Sequence, residues 1–288
     1  MSKVILHVLG TAQDAGLPHP NCFCKNCAEA IGNPEYRRSA ASLAIVLPEE
    51  KAWHLIDATP DLKEQMAGVQ IKHNMQGQLM ASIFLTHAHL GHYPGLLFLG
   101  KEAIGANKVP VMAGPKMKKM LEEQAPWSQL SKLRNIDLQE ISDGQTIVVS
   151  PHATVIPVNV PHRNEFSETF AFWIKGTKKK VLYIPDIDRW EQWDKDIYKA
   201  CEEADICLLD GTFHSAEDLE QIGRDYREIP HPLMVETMDR LQDLVEKTEI
   251  YFIHLNHSNP AIDSDKTIRK EIEMKGFHIA EEGMEFVL

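Results

Sequence analysis

Residues 82–92 read Ser-Ile-Phe-Leu-Thr-His-Ala-His-Leu-Gly-His, a short apolar strand that runs directly into three histidines within six residues. A fold that accepts this run must end a strand where several imidazoles can converge. In extended backbone, side chains at i and i+2 share a face. His87 and His89 are therefore expected to grip one ion, and His92, beyond the turn at Gly91, to face a second. Neutral imidazole suits zinc, and a catalytic zinc site keeps one position open for water. Three unrelated loop histidines is the plainer alternative, and it demands a coincidence of spacing.

Around this run lie β-rich segments bounded by turn residues: Val4–Leu9, Ser42–Leu47, Ala52–Ile56, Ser82–Leu85, Val109–Met112, Ile136–Ile141, Ala153–Val158, Thr169–Ile174, Val181–Ile184, Ile206–Leu209, Ile250–His254 and Met284–Leu288. Helical periodicity covers Pro60–Ala67, Pro94–Ile104, Pro115–Gln124, Arg189–Glu203, Pro232–Glu246 and Ile262–Lys275. Strands and helices do not alternate strictly. The pattern predicts two sheets packed face to face with helices outside, as one domain over 1–288. No internal repeat, low-complexity tract or Gly/Ser linker divides it.

A net charge of −12 argues against a nucleic-acid backbone as partner, because phosphates call for basic patches. The basic run Lys178-Lys179-Lys180 reads as a solvated turn. The apolar run near the start is broken by His7 and too short for a signal peptide or membrane span, so a cytoplasmic location and no membrane partner are expected. A homodimer is left open.

Three of the five cysteines, Cys22, Cys24 and Cys27, sit within six residues, which suits a metal better than a disulfide framework. Structural zinc wants a fourth ligand. His257, three residues after His254, is the expected one, so that two histidines of one turn serve two metals. Free thiols are the alternative. Cys201 and Cys207 read as core.

The histidine run resembles the His-x-His-x-Asp-His signature of the metallo-β-lactamase superfamily. That resemblance implies an αββα sandwich of two mixed sheets, an α/β fold. It also implies further ligands in a fixed order: His162 after a middle strand, a bridging Asp186, and His254 at the end of a late strand, with Asp57 as a structural aspartate. Val8–Cys27 and the run Phe252–Pro260 are similar to the pyrroloquinoline quinone biosynthesis protein B family. The thiol and histidine layout is similar to that of the cyclic-phosphate phosphodiesterases of phosphonate breakdown.

The departure is Gly91, where the signature has aspartate. The second site of His92, Asp186 and His254 thereby loses a ligand. Asp14, in the turn Gly10–Gly16, is the expected lender of a carboxylate, although a turn former is an equal reading. On that expectation, aspartate at position 91 would partly compensate for loss of Asp14. Arg163 would hold an anionic substrate or pair with Glu165 or Glu168. His231 would line the pocket, in a catalytic role with Asp186 and Asp14, or cap a helix. Asp210 would orient a ligand histidine. His7, His19, His54, His73, His152 and His278 read as structural or exposed.

The resemblance implies a hydrolase using hydroxide generated on zinc, with one structural and one or two catalytic ions, manganese or iron being admissible at the catalytic site. Its substrate would be a small anionic molecule such as a cyclic phosphodiester. No Gly-x-Ser-x-Gly context supports a covalent mechanism. A non-catalytic metal-binding accessory protein of cofactor biosynthesis is the competing class.

Overall fold

The computed structural model describes residues 3–263 and 265–288. Two seven-stranded sheets face each other. The first runs β14-β1-β2-β3-β4-β5-β6, where β1 is Ile5–Gly10, β2 Ser42–Leu47, β3 Ala52–Ile56, β4 Ser82–Phe84, β5 Val109–Ala113, β6 Ile136–Glu140 and β14 Glu285–Val287. The second runs β13-β12-β11-β10-β9-β8-β7, where β7 is Ile147–Ser150, β8 Ala153–Val160, β9 Thr169–Lys175, β10 Lys180–Ile184, β11 Ile206–Asp210, β12 Glu249–Ile253 and β13 His278–Ile279. Helices among the described residues are α1 (Lys25–Gly32), α2 (Leu62–Lys72), α3 (Pro115–Glu123), α4 (Trp127–Lys132), α5 (Ile197–Glu202), α6 (Ala216–Gln221), α7 (Met234–Leu241) and α8 (Thr267–Met274).

Burial explains the layering. Every residue of β1 and β2 is buried, because these strands are covered on both faces. Leu6, Val8, Leu43, Ile45, Phe84, Phe172, Tyr183 and Leu208 fill the space between the sheets. Leu55, Ile83, Leu62 and Leu96 form a second core on the outer face of the first sheet. Leu182, Phe252 and Met238 form a third on the second sheet, where Cys201 and Cys207 are fully buried as expected. The expected αββα sandwich of two mixed sheets is what the chain adopts.

In each sheet the strands that carry the site are parallel. β3, β4 and β5 run together, as do β10, β11 and β12. Their carboxyl ends therefore share an edge, which is where open α/β sheets collect ligands.

Local corrections have physical causes. The expected helix Pro94–Ile104 is a 3₁₀ turn over Pro94–Leu99. The Gly95 backbone lies so close to the Thr59 and Ala58 carbonyls that a Cβ would collide with them, and Gly100 ends the turn with an i→i+3 bond to Leu97. Within Arg189–Glu203 the α-helix begins only at Ile197, where the Asp196 side chain accepts from the Tyr198 N–H. Upstream, Trp190 and Trp193 are held by indole bonds to Thr237 and Asn159 instead. Cys27 lies on α1, whereas Cys22 and Cys24 precede it. Strands β7 and β13 escaped the pattern, being four and two residues long.

Candidate metal centre

Asp57 follows β3 with a positive φ of 64° and is fully buried. It accepts from the Thr86 N–H at 2.8 Å and from the Thr86 hydroxyl. Its Oδ2 lies 2.7 Å from His92 Nδ1. A carboxylate only accepts, so the proton sits on Nδ1 and the Nε2 lone pair of His92 points onward. Asp57 thus locks the loop after β4, as the structural role expected of it requires.

His87, His89 and His162 bring ring nitrogens within 4.8 Å of one another. His162 is oriented by Asp188, whose Oδ1 lies 3.0 Å from Nδ1. Its Nε2 is 3.7 Å from Asp186 Oδ1. The other oxygen of Asp186 lies 3.2 Å from His92 Nε2 and 3.3 Å from His254 Nε2. One carboxylate therefore faces two nitrogen groups, one with each oxygen. His92 Nε2, His254 Nε2 and Asp186 Oδ2 are all buried without a hydrogen-bond partner. Orphaned atoms of this kind are costly in a protein interior unless something binds them. Converging lone pairs about 3.3 Å apart are what a tetrahedral ion with bonds of 2.0–2.1 Å requires. The donor set fits divalent metal.

The electrostatics agree. The surrounding histidines hold the Asp186 carboxyl well below its usual range despite burial. Burial, reinforced by His92, keeps His87 neutral and able to ligate.

Asp14 reaches this centre. Its carboxylate lies within 4.8 Å of the His92 and His254 nitrogens. The turn is fastened by Gln13 N–H to Leu255 O, Leu255 N–H to Thr11 O and Asn256 Nδ2 to the Gln13 side chain. Gly91 explains the approach: a Cβ there would lie 2.7 Å from Asp14 Cα. The expectation that aspartate at 91 would compensate for Asp14 is therefore overturned. Any side chain at 91 displaces the backbone that delivers Asp14.

Asp210 turns out to serve a different histidine from the metal-facing ones. Its Oδ2 lies 2.7 Å from His231 Nδ1, and it accepts from the Ile187 and Thr212 N–H groups. The Asp210 carboxylate offsets the desolvation of His231 and lifts its pKa. His231 lines a cavity of about 530 Å³ with Asp14, His89, His162, Asp186 and Arg163. Arg163 is half-exposed and ion-paired to Glu165 at 3.0 Å, so it stands at the rim with its charge already matched. Glu165 also lies 3.5 Å from His89 Nε2. His19, read from sequence as structural or exposed, lines the same cavity, its ring tilted 35° against that of His257 with centroids 4.6 Å apart.

The thiol cluster assembles as expected. Cys22, Cys24 and Cys27 place sulfur 3.5, 3.5 and 3.7 Å from His257 Nδ1. Bonds of about 2.3 Å to sulfur and 2.0–2.1 Å to nitrogen set tetrahedral S···N separations of about 3.5 Å. Asn26 holds the His257 and Asn259 carbonyls and fixes the turn. The Cys24 backbone N–H lowers the Cys22 pKa, while burial pushes Cys27 up to about 12. Sequence reasoning offered Glu165 as the partner of Arg163, which it is, but missed Asp188, the approach of Glu165 to His89 and the Asp210–His231 pairing. Only the Asp-Ile-Asp spacing at 186–188 hinted at the first.

The family profile of the beta-lactamase superfamily domain matches residues 52–255, and the chain belongs to that superfamily. It is similar along nearly its whole length to Coenzyme PQQ synthesis protein B of Nitrosococcus oceani, at 24% identity over 314 residues, covering 99% of this chain and 100% of the relative. The same protein of Ruegeria pomeroyi is 25% identical over 312 residues, covering 98% and 99%. Among solved structures, Zn(2+)-bound PqqB from Methylobacterium extorquens superposes with a TM-score of 0.83 at 24% identity, covering 99% of this chain and 100% of that one. A diphosphatase of the PhnP family superposes with a TM-score of 0.70 at 21% identity, covering 99% and 97%. These likenesses confirm the fold. Among the described residues, no helix is long and apolar enough to cross a membrane.

Proposed function

We propose that this chain is a metal-dependent hydrolase acting on a small anionic ester, with a phosphodiester as the preferred class. The observation that carries the reading is Asp186, buried between two nitrogen groups with unpartnered ligand atoms around it. His87, His89 and His162 would hold one ion. His92, His254 and Asp14 would hold the other, with Asp186 shared. Zinc suits these donors and is the metal named for the superposed relative from Methylobacterium extorquens; manganese or iron fits the nitrogen and oxygen set as well. Such ions lower the pKa of water to about 7 and polarise a phosphoryl or carbonyl oxygen.

The chain's own groups supply the rest. Asp57 and Asp188 hold the imidazoles in the tautomer that presents Nε2. Asp186 would be shared between the ions, and Asp14 offers a carboxylate oxygen that can accept a proton from water. His231, held at Nδ1 by Asp210, can deliver a proton from Nε2 to a departing alkoxide at the cavity. Cys22, Cys24, Cys27 and His257 would hold a structural ion that ties the N-terminal turn to the turn carrying His254. The overall charge of −12 keeps polyanions away while metals draw a small anion in.

The test is a screen of bis(p-nitrophenyl) phosphate, cyclic phosphodiesters, esters and lactones with metal-loaded protein, alongside His87→Ala. Turnover by the wild type that disappears in His87→Ala supports the hydrolase. Full metal content with no turnover on any class would favour the second reading, a non-catalytic accessory protein of quinone-cofactor synthesis. End-to-end similarity to Coenzyme PQQ synthesis protein B supports that alternative.

A further inference from the structure

Remote from this cavity, His7, His73 and Glu285 place two ring nitrogens and a carboxylate oxygen within 4.8 Å of one another. Three elements supply them: β1, the residue after α2, and β14. Along β1, Ile5 and Leu9 pack into the core beneath the helices, so His7 interrupts an apolar stripe, and it is only 4% exposed. An imidazole buried in such a stripe needs a purpose that offsets its desolvation. His7 Nδ1 lies 3.2 Å from His73 Nε2. That same His73 nitrogen lies 3.4 Å from Glu285 Oε1. These separations match those among ligands of one tetrahedral ion with bonds of 2.0–2.2 Å, which come to about 3.3–3.5 Å.

We infer that His7, His73 and Glu285 form a peripheral binding site for a borderline divalent cation of the zinc type, with water as the fourth ligand. His7 and Lys72 line a surface cavity of about 330 Å³, through which water and the ion can enter. Without metal, the hydrogen bond between the two imidazoles fills the site, and Lys72 serves as counter-charge. Lys72 Nζ stands 3.4 Å from Glu285 Oε1 and donates to the Gly283 carbonyl at 2.7 Å. An ion entering must displace that ammonium, which sets the affinity below that of the buried centres. Bound metal would pin the edge strand β14 to β1 and to the end of α2. Copper(II) should bind more tightly than zinc, following the general order for nitrogen and oxygen sites.

The site is tested by stripping the full chain with chelator, reloading it with zinc, and counting metal after buffer exchange. Wild type should retain one equivalent more than His73→Ala and one more than Glu285→Gln. Both variants should keep the cobalt-to-thiolate absorption of the cysteine site when loaded with cobalt. Lys72→Ala should bind the extra equivalent more tightly. Zinc should raise the melting temperature further in wild type than in either ligand variant. Equal metal content in wild type, His73→Ala and Glu285→Gln overturns the inference. Should His73→Ala fail to fold, the partly exposed Glu285→Gln decides alone.

Discussion

Each sheet carries the same device at its carboxyl edge. In the first, buried Asp57 binds Thr86 and fixes Nδ1 of His92; in the second, buried Asp210 binds Thr212 and fixes Nδ1 of His231. Both carboxylates are fully buried, and both raise the pKa of their histidine. What differs is where the remaining nitrogen goes. His92 Nε2 has Asp186 as neighbour and no hydrogen bond, whereas His231 lines the open cavity. On the proposed function, the same carboxylate–imidazole pair would prepare a metal ligand in one half and a proton carrier in the other. Position, and not the pair itself, decides the role.

The widest break in this comparison should come from Asp57→Ala. It leaves the Thr86 N–H, the Thr86 hydroxyl and His92 Nδ1 without their acceptor, in a place water does not reach. Urea unfolding of the metal-free protein should show a loss of about 3–5 kcal/mol. A loss below about 1 kcal/mol would mean that Asp57 does not organise the loop.

Next in size is the contrast between His231→Ala and His92→Ala. His231→Ala should keep its full metal complement and turn over about 10²- to 10⁴-fold more slowly. The deficit should be smallest for p-nitrophenyl esters, whose leaving group needs no proton. His92→Ala should lose metal itself. Equal metal loss in both variants would erase the distinction between the halves.

Asp210→Asn should cost less, about 10- to 100-fold in turnover with metal retained, because it misorients His231 without deleting it. Smallest is Asp14→Asn, expected to weaken one ion about tenfold while the other stays bound. Adding Gly91→Asp should worsen this variant, since the new Cβ meets the Asp14 backbone. Recovery of metal affinity in the double variant would contradict the steric account.

The candidate ligands were legible because they stand at strand ends, where a change from apolar run to His or Asp marks the spot. His87, His162, Asp186 and His254 all follow that rule. Asp14 could be suspected only because Gly91 left a charge missing. The orienting carboxylates obey no spacing: Asp188 and Asp210 find their histidines through tertiary approach, over 26 and 21 positions. The 3₁₀ turn at Pro94 was missed for a related reason. Its apolar content suits a helix, but the crowding of Gly95 against Thr59 and Ala58 is invisible in one dimension.

The fastening of Gln13 to Asn256 joins positions 243 apart in the chain. Closing so long a loop is slow, and it waits on synthesis beyond Asn256. During synthesis, His87, His89 and His162 are all available before His254 has emerged from the ribosome. If two ions bind as proposed, they would be acquired in sequence, the second only when β12 brings His254 to Asp14.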